Sequence, residues 1–458
     1  MTVLNSRIRS EMPGVSWPAV PSQRGAQLLA MQYQFEQTQW WPAERLLERQ
    51  LRQIHSLLRH AAVNVPFYRE RLRSAGFDPK QKLTLSAFRA LPLLTRRDVQ
   101  RAGTAMHSTV IPAVYGRTAE TRTSGSTGEP VTVRRTQFDQ LLWEANLLRD
   151  HHWHQRELSG KLALIRAEVK HARPPHGVMQ PKWGRATDLF QTGPLAILDC
   201  ATDIPTQAKW ILQQNPDYLL TYPSILKSLL AWYSTHVERP GRLREVRTFA
   251  ETLDSSVRAA CQKVLGVPIV DGYSSEEMGY IALQCPTSEA LHVMSESVLV
   301  EIVDESGQPC APGEIGQVVV TTLHNVAMPL VRYALGDHAE AGAPCACGRG
   351  LPVIARVLGK IRNLVTLPSG KRFRPRFIDE LEAFPMVRQY QLIQRSLQDV
   401  EARLVVDAPL TAEIETRLRQ ALQGAIGYPF HISLIYFSGD LPRGPRGKFE
   451  EFVSRMPE

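Results

Sequence analysis

Thr123-Ser124-Gly125-Ser126-Thr127-Gly128-Glu129-Pro130 combines hydroxyl side chains with two glycines and ends on a proline. Glycine lets a backbone bend close to an anion. The hydroxyls of Ser124, Ser126 and Thr127, with the N–H groups of a turn, can surround phosphate oxygens. The GxxxxGK[ST] spacing of a Walker loop is absent. Composition alone reads as a Ser/Gly-rich linker, so the segment takes its meaning from what flanks it.

Before it the chain reads as helical. Leu47, Leu51, Ile54 and Leu58 recur at helical spacing, Pro66 and Gly76 break the pattern, and a second short helix is expected near Ser86. From about residue 161 the rhythm changes. Short apolar strands at 161–166, 195–199, 218–221, 246–249 and 268–270 alternate with helices at 205–214, 224–234 and 255–264. Such alternation predicts a largely parallel sheet covered by helices. Residues 298–303 and 317–323 follow consecutively around Gly313 and Gly316 and read as an antiparallel pair. The last hundred or so residues form a different unit, of normal domain size. It has a hairpin across Pro368-Ser369-Gly370, a helix near 376–383, strands at 389–394 and 402–406, a helix over 411–422 and a strand at 432–437. The expected fold is α/β: a large domain over 1–357, with a helical start, a mostly parallel helix-covered sheet and a β-rich part, plus a small α+β domain over 358–458.

Composition excludes several classes. The chain has 458 residues, 43% of them hydrophobic and spread evenly, which suits two or three soluble domains. No apolar run approaches the roughly 20 residues that span a bilayer. The polar start from Met1 to Pro18 lacks the apolar block of a signal peptide, so the cytoplasm is the expected compartment. Lys and Arg outnumber Asp and Glu by 54 to 45, but they are scattered, with no basic arm, zinc-finger spacing or aromatic-basic RNA motif. Nucleic acid is therefore not the expected partner, and the net charge of +9 is read as a field favouring anionic ligands. Six cysteines are too few for a disulfide framework in a chain this long.

The Thr123–Pro130 stretch resembles the phosphate loop of the adenylate-forming (acyl-CoA synthetase, adenylation-domain, luciferase) superfamily, and further motifs follow in that superfamily's order. Tyr273-Ser274-Ser275-Glu276-Glu277 resembles Tyr-Gly-x-Thr-Glu, and Arg332-Tyr333-Ala334-Leu335-Gly336-Asp337 resembles Arg-Tyr-x-x-Gly-Asp. Arg356-Val357-Leu358-Gly359-Lys360 resembles Arg-x-x-Gly-Arg, and Gly447-Lys448 resembles the C-terminal lysine motif. One such match is weak; five in order are specific. The early segments Arg59–Tyr68 and Leu91-Pro92-Leu93-Leu94-Thr95-Arg96 resemble those of the phenylacetate–CoA ligase-like branch, with its capsule-biosynthesis-type relatives. The likeness runs from about residue 45 to the C-terminus.

The resemblance implies ATP-dependent activation of a carboxylic acid to acyl-AMP, then transfer to a thiol of coenzyme A or of an acyl carrier protein's pantetheine. Thr123, Ser124, Gly125, Ser126, Thr127 and Gly128 would cradle the phosphates of ATP, with Thr127 also in the catalytic set. Glu277 would bind magnesium, for which a carboxylate is a suitable hard ligand. Asp337 would accept the ribose hydroxyls, Arg356 would reach ribose or phosphate, and Glu251 and Tyr273 complete the nucleotide site. Lys448 would bring a mobile positive charge to the α-phosphate and the carboxylate. The small domain is then expected to be mobile about a hinge at 359–363. Tyr222, Ser224, Ala250 and Gly272 are the candidates for the acid pocket, and an aromatic or arylacetic acid is the default substrate. Three departures stand out: Ser274 for Gly, Glu276 for Thr or Ser, and Arg362-Asn363 where an acidic pair is usual.

Cys285, His292, Cys345 and Cys347 are the right residue types for a tetrahedral structural zinc site, though Cys-x-Cys is less diagnostic than Cys-x-x-Cys. Similar Cys…His…Cys-x-Cys patterns occur in this ligase branch. The alternative is buried or loop thiols beside a satisfied histidine; Cys310 is a reserve ligand, and Cys200 and Cys261 read as core. His151-His152-Trp153-His154 reads as a helix face or turn, and Trp40-Trp41 as packing. Two other functions fit the same motifs: a nucleotidyl transferase joining AMP to a phosphate or hydroxyl acceptor, and a non-catalytic acyl-adenylate binder. The intact Glu277, Asp337 and Lys448 argue against the second. Oligomeric state is not legible.

Overall fold

The computed structural model describes residues 8–122, 130–167, 172, 176–360, 365–370, 372–373, 383–443 and 449–456. Five helices come first: α1 (Gln23–Thr38), α2 (Ala43–Asn64), α3 (Pro66–Ser74), α4 (Leu85–Arg89) and α5 (Arg96–Ala102). α2 buries Leu46, Ile54, Leu57, Leu58 and Ala61 along one face, as its periodicity requires. Pro66 breaks the helical run as expected: α2 ends at Asn64 and Val65 is extended. It opens α3 at a position where its missing N–H is of no consequence.

β1 (Thr118–Arg122) and β2 (Thr132–Thr136) pair antiparallel with Arg122 opposite Thr132, so 123–131 join the ends of a hairpin. The Ser/Gly stretch from Thr123 to Glu129 lies outside the described residues. α6 (Gln137–Trp153) follows β2 directly, started by a capping box of Thr136 and Asp139.

β3 (Leu162–Arg166), β4 (Val178–Gln180), β5 (Leu195–Asp199), β6 (Tyr218–Thr221), β7 (Glu245–Thr248) and β8 (Ile269–Ser275) alternate with α7 (Ile204–Gln214), α8 (Pro223–Ser234) and α9 (Ser255–Leu265). Then come β9 (Gly279–Gln284), β10 (Leu291–Val293), β11 (Val298–Val303), β12 (Ile315–Thr322), β13 (Tyr333–Ala341) and β14 (Val353–Lys360). All belong to one twelve-stranded sheet, ordered β11-β12-β13-β14-β10-β9-β8-β7-β6-β3-β5-β4. The β5-β3-β6-β7-β8 part is parallel. From β8 outward through β9 to β11 every pairing is antiparallel. The β-rich part is thus continuous with the parallel part. β8 makes this possible by its length: Ile269–Asp271 pair parallel with β7, and Gly272–Ser275 pair antiparallel with β9.

The parallel half packs on α7, α8 and α9 through Ile165, Leu198, Ile211, Leu226, Leu229 and Val246. Beyond it lie β15 (Val365–Thr366), β16 (Arg372–Phe373), β17 (Val387–Gln394), β18 (Asp399–Val406), α10 (Ala412–Ile426), β19 (His431–Tyr436) and β20 (Phe452–Ser454). β15 and β16 form the expected hairpin, and the other four order as β19-β18-β17-β20. This C-terminal part has its own core, including Leu392, Leu404, Leu418, Leu422 and Phe430. The helix expected near 376–383 lies almost wholly outside the described residues.

Candidate active site

The junction strand β8 carries Tyr273, and the turn after it delivers Glu276 and Glu277. Tyr273 is buried, and its hydroxyl donates to Asp337 Oδ2 of β13 at 2.8 Å. Burial and the neighbouring Asp337 carboxylate hold the Tyr273 phenol far above its ordinary pKa, so it stays a donor. Glu277 is 8% exposed, with Oε1 3.5 Å from Arg96 Nη1 at the start of α5. Two of the sequence motifs therefore meet at one place, and a third segment guards it.

How that third segment arrives is visible in the backbone. Leu94 N donates to Arg332 O and Ala334 N to Leu94 O, both at 2.9 Å, stitching Leu91–Arg96 onto the start of β13. Arg332 is not at the nucleotide side. It is buried with φ +49°, gripping Glu301 Oε2 at 3.0 Å and Leu91 O at 2.7 Å. The Arg59–Tyr68 segment is a clasp of the same kind. Tyr68 donates to Pro329 O at 3.0 Å and accepts from Val331 N at 3.2 Å, and His60 lies 3.0 Å from Ser108 Oγ. These groups act through the backbone, fixing the strand that presents Asp337.

At the neighbouring strand end, Ala250 has φ +67°, uncommon for a residue with a Cβ. Glu251 follows, and its two carboxylate oxygens accept from Ser224 N (2.9 Å) and from Phe449 N (2.6 Å). Burial raises its pKa against the pull of those N–H groups. Ser224 Oγ also accepts from Arg443 Nη1 at 2.9 Å. The C-terminal part is therefore seated on the strand ends at Glu251 and Ser224. Its Lys448 lies outside the described residues, next to Phe449. Tyr222 is buried against Phe249, with ring centroids 4.7 Å apart, and belongs to the core under α8. Gly272 lies within β8 beside Tyr273. Arg356, on β14, pairs with Glu340 Oε2 at 2.6 Å and is not brought to Asp337.

At the end of β9 away from the Glu277 turn, Cys285 follows the strand, while His292 sits in β10 and Cys345 and Cys347 lie in the β13–β14 loop. Their ligand atoms all fall within 4.8 Å of one another. Cys285 Sγ is 3.7 Å from Cys345 Sγ, and Cys347 Sγ is 3.3 Å from His292 Nε2. Tetrahedral bonds of about 2.3 Å to sulfur put two thiolates roughly 3.8 Å apart. His292 Nδ1 lies 3.4 Å from Leu351 O, the kind of carbonyl that orients a ligating imidazole. Cys310 stands apart from this group, and Cys200 and Cys261 are buried in the core under α7–α9.

A family profile described as AMP-binding enzyme matches residues 122–328, from the end of β1 to the segment that Tyr68 clasps. Over those residues the chain is similar to the adenylate-forming superfamily. The curated relatives it matches include phenylacetate-coenzyme A ligases. It is 24% identical to the phenylacetate-coenzyme A ligase of Escherichia coli over 84% of this chain and 90% of that one. It is 26% identical to the phenylacetate-coenzyme A ligase of Thermus thermophilus, over 90% and 97%. The fold is that of 2-hydroxyisobutyryl-CoA ligase in its postadenylation state, at a TM-score of 0.72 and 17% identity, covering 90% of both chains. That same ligase in its thioesterification state scores 0.59 over 92% of both.

Sequence reasoning missed two groups. One is a buried charge cluster at the end of α6, where Asp150 Oδ2 meets Arg156 Nη1 at 2.7 Å and Arg247 Nη2 at 2.5 Å, and Glu245 meets Arg156 Nε at 2.6 Å. His151 to Trp153 end that helix and His154 caps it, a helix face and turn as expected, with His151 and Trp153 buried. The other is Arg135 at the end of β2. Neither has a motif around it; each acquires neighbours only through long-range packing.

Proposed function

We propose that this protein activates a carboxylic acid with ATP, releasing pyrophosphate, and then transfers the acyl group from acyl-AMP to the thiol of coenzyme A. The observation that carries this reading is the Tyr273–Asp337 pair at the sheet junction, with Glu277 on the adjoining turn. Asp337 offers carboxylate oxygens to ribose hydroxyls, and the buried Tyr273 donor fixes its orientation. Glu277 would hold magnesium, which supplies charge neutralisation at the phosphates; Arg96, 3.5 Å away, is the countercharge that orients this carboxylate. Phosphoryl transfer needs in-line placement and stabilised charge more than covalent help from the protein. We assign the placement to residues 123–128, which follow β1 in the sequence, and the added positive charge to Lys448.

We further propose that residues 1–357 and 358–458 act as two bodies, although β14 stays paired as far as Lys360. The cytoplasm, where ATP and coenzyme A are at hand, is the proposed compartment; among the described residues no helix is long and apolar enough to cross a membrane. A structural zinc ion at Cys285, His292, Cys345 and Cys347 completes the proposal, since four soft and borderline donors at these separations leave no open position for chemistry. An aromatic or arylacetic acid is the starting substrate class, drawn from the phenylacetate-coenzyme A ligases among the relatives. ATP–pyrophosphate exchange over a panel of acids, with mass spectrometry of the coenzyme A product, tests the reading. Exchange without thioester, and transfer of AMP to a hydroxyl or phosphate instead, would replace it with nucleotidyl transfer.

A further inference from the structure

Arg443 and Phe449 stand on either side of the stretch that carries Lys448, and both are held at one place beside the large sheet. Phe449 N donates to Glu251 Oε1 at 2.6 Å. Arg443 Nη1 donates to Ser224 Oγ at 2.9 Å, and its guanidinium lies 5.7 Å from the centre of the Phe449 ring. Glu251 and Ser224 are themselves joined, since Glu251 Oε2 accepts from Ser224 N at 2.9 Å. The four residues thus close a circuit between the strand ends and the C-terminal part.

Each link has a local cause. α8 starts at Pro223, so Ser224 N is one of the first-turn donors that no helical carbonyl can reach, and Tyr222 at the N-cap offers it no side-chain acceptor. The positive end of the helix favours a carboxylate there. Just beyond β7, Ala250 at φ +67° forms a tight turn closed by Glu251 N donating to Phe249 O at 2.9 Å. Such a turn is strained for a residue with a Cβ, and strain of this kind is kept where the surroundings demand it. It brings Glu251 round to α8. One carboxylate oxygen is then fixed by the helix, and the other is presented to Phe449.

The planar peptide unit that carries the Phe449 N–H also carries the Cα of Lys448. Holding that N–H restricts where the lysine side chain can start. We propose that Glu251 is the positioning residue for Lys448, seating the tail for acyl-AMP formation and playing no part in thioester transfer. It acts through the backbone and is not a ligand of the nucleotide. Ser224 and Arg443 make the second foot of the same seat, so Ser224 serves the tail and not the acid pocket. This assignment rests on the acid-activating reading above, in which Lys448 supplies its charge during the first step.

Glu251→Gln tests it, because the amide keeps one acceptor and turns an NH2 toward the other N–H. The kcat of ATP–pyrophosphate exchange should fall by roughly tenfold to a hundredfold, with KM for ATP unchanged and thioester formation from synthetic acyl-AMP at the wild-type rate. A nucleotide ligand would instead raise KM for ATP, and a merely structural residue would slow both half-reactions together. Either result overturns the proposal, as does unchanged exchange. Should Glu251→Gln be recovered unfolded, Arg443→Met decides: a several-fold loss confined to exchange upholds the seat, and no loss or equal loss in both steps overturns it. If no acid supports exchange in the wild type, the activity reading fails by itself. Hydrogen–deuterium exchange of the peptide spanning residue 449 then decides the seat separately: faster exchange in Glu251→Gln upholds it, and an unchanged rate overturns it.

Discussion

The residue to which the proposed function gives the largest single role is Lys448. Phe449 N reaches Glu251 at 2.6 Å, which ties the chain just after the lysine to a strand end of the large sheet. A positive charge delivered there matters only while the carboxylate attacks the phosphate. Lys448→Ala should therefore cut acyl-AMP formation by roughly 10²–10³-fold and leave thioester formation from synthetic acyl-AMP largely intact. Adenylation within a few-fold of wild type in a pyrophosphate-exchange assay would remove the lysine from this role. His154 supports a different prediction. Burial pulls its pKa down to about 4, with the Asp150 carboxylate opposing and Arg156 assisting. A histidine whose folded pKa lies below its unfolded value near 6.5 leaves stability intact above pH 6.5 and erodes it as pH falls toward 4. The loss amounts to about 3 kcal/mol by pH 4. Its side chain is only 8% exposed, so solvent screening is slight. Tm measured from pH 7 to pH 4 should fall less steeply in His154→Gln than in wild type; parallel curves would refute the assignment.

At the scale of elements, the β13–β14 loop is the most consequential. It carries Cys345 and Cys347, and a few residues later Gly350 N donates to Gln39 O at 2.9 Å between α1 and α2. A Cβ on Gly350 would come within 1.8 Å of Trp41 O, so only glycine permits the approach. Arg349 lies over the rings of Trp40 and Trp153 at 4.9 and 4.6 Å, which gives the Trp40-Trp41 pair its expected packing role. Purified protein should contain one zinc per chain without added metal, and Cys347→Ala should lose it and melt several degrees lower. Elemental analysis near zero in wild type would dismiss the site. The cluster of Cys285, His292, Cys345 and Cys347 was legible from residue type and resemblance. The docking of their loop on the α1–α2 junction was not, since Gln39 and Gly350 are 311 positions apart in sequence and carry no periodic signal.

For the molecule as a whole, the alternation of strands and helices from residue 161 announced the parallel half of the sheet, because each of those elements has an apolar period of its own. The continuity of the antiparallel half with it was hidden, being decided by which edge of β8 pairs with β9. The β1–β2 hairpin went unread because its strands carry no apolar alternation, and the buried Asp150 cluster was invisible because it depends on contacts between distant segments. The proposed hinge at 359–363 falls partly outside the described residues. The contacts that hold the C-terminal part are nevertheless plain. Lys227 of α8 pairs with Glu451 and lies 3.2 Å from Tyr390 Oη, which itself donates to Glu451 Oε2 at 3.0 Å. These partly exposed pairs are individually weak, as surface ion pairs are. Lys227→Ala should slow adenylation by about two- to fivefold and leave transfer from supplied acyl-AMP unslowed, because only the seated arrangement loses a contact. Equal slowing of both half-reactions would show that Lys227 does not favour one arrangement.

Trp153 sits edge-on to His292, with ring centroids 5.8 Å apart, and donates its indole N–H to Gln39 at 2.8 Å. An indole wedged between an imidazole proposed to bind metal and an amide on the α1–α2 junction is a built-in optical gauge. Its emission depends on the charge and motion of that imidazole, so titration with a chelator should change the fluorescence in step with zinc release. Trp153→Phe should abolish that change while the metal is still lost at the same chelator concentration. The chain thus carries its own indicator of whether the loop is fastened, readable without a label and without running the reaction.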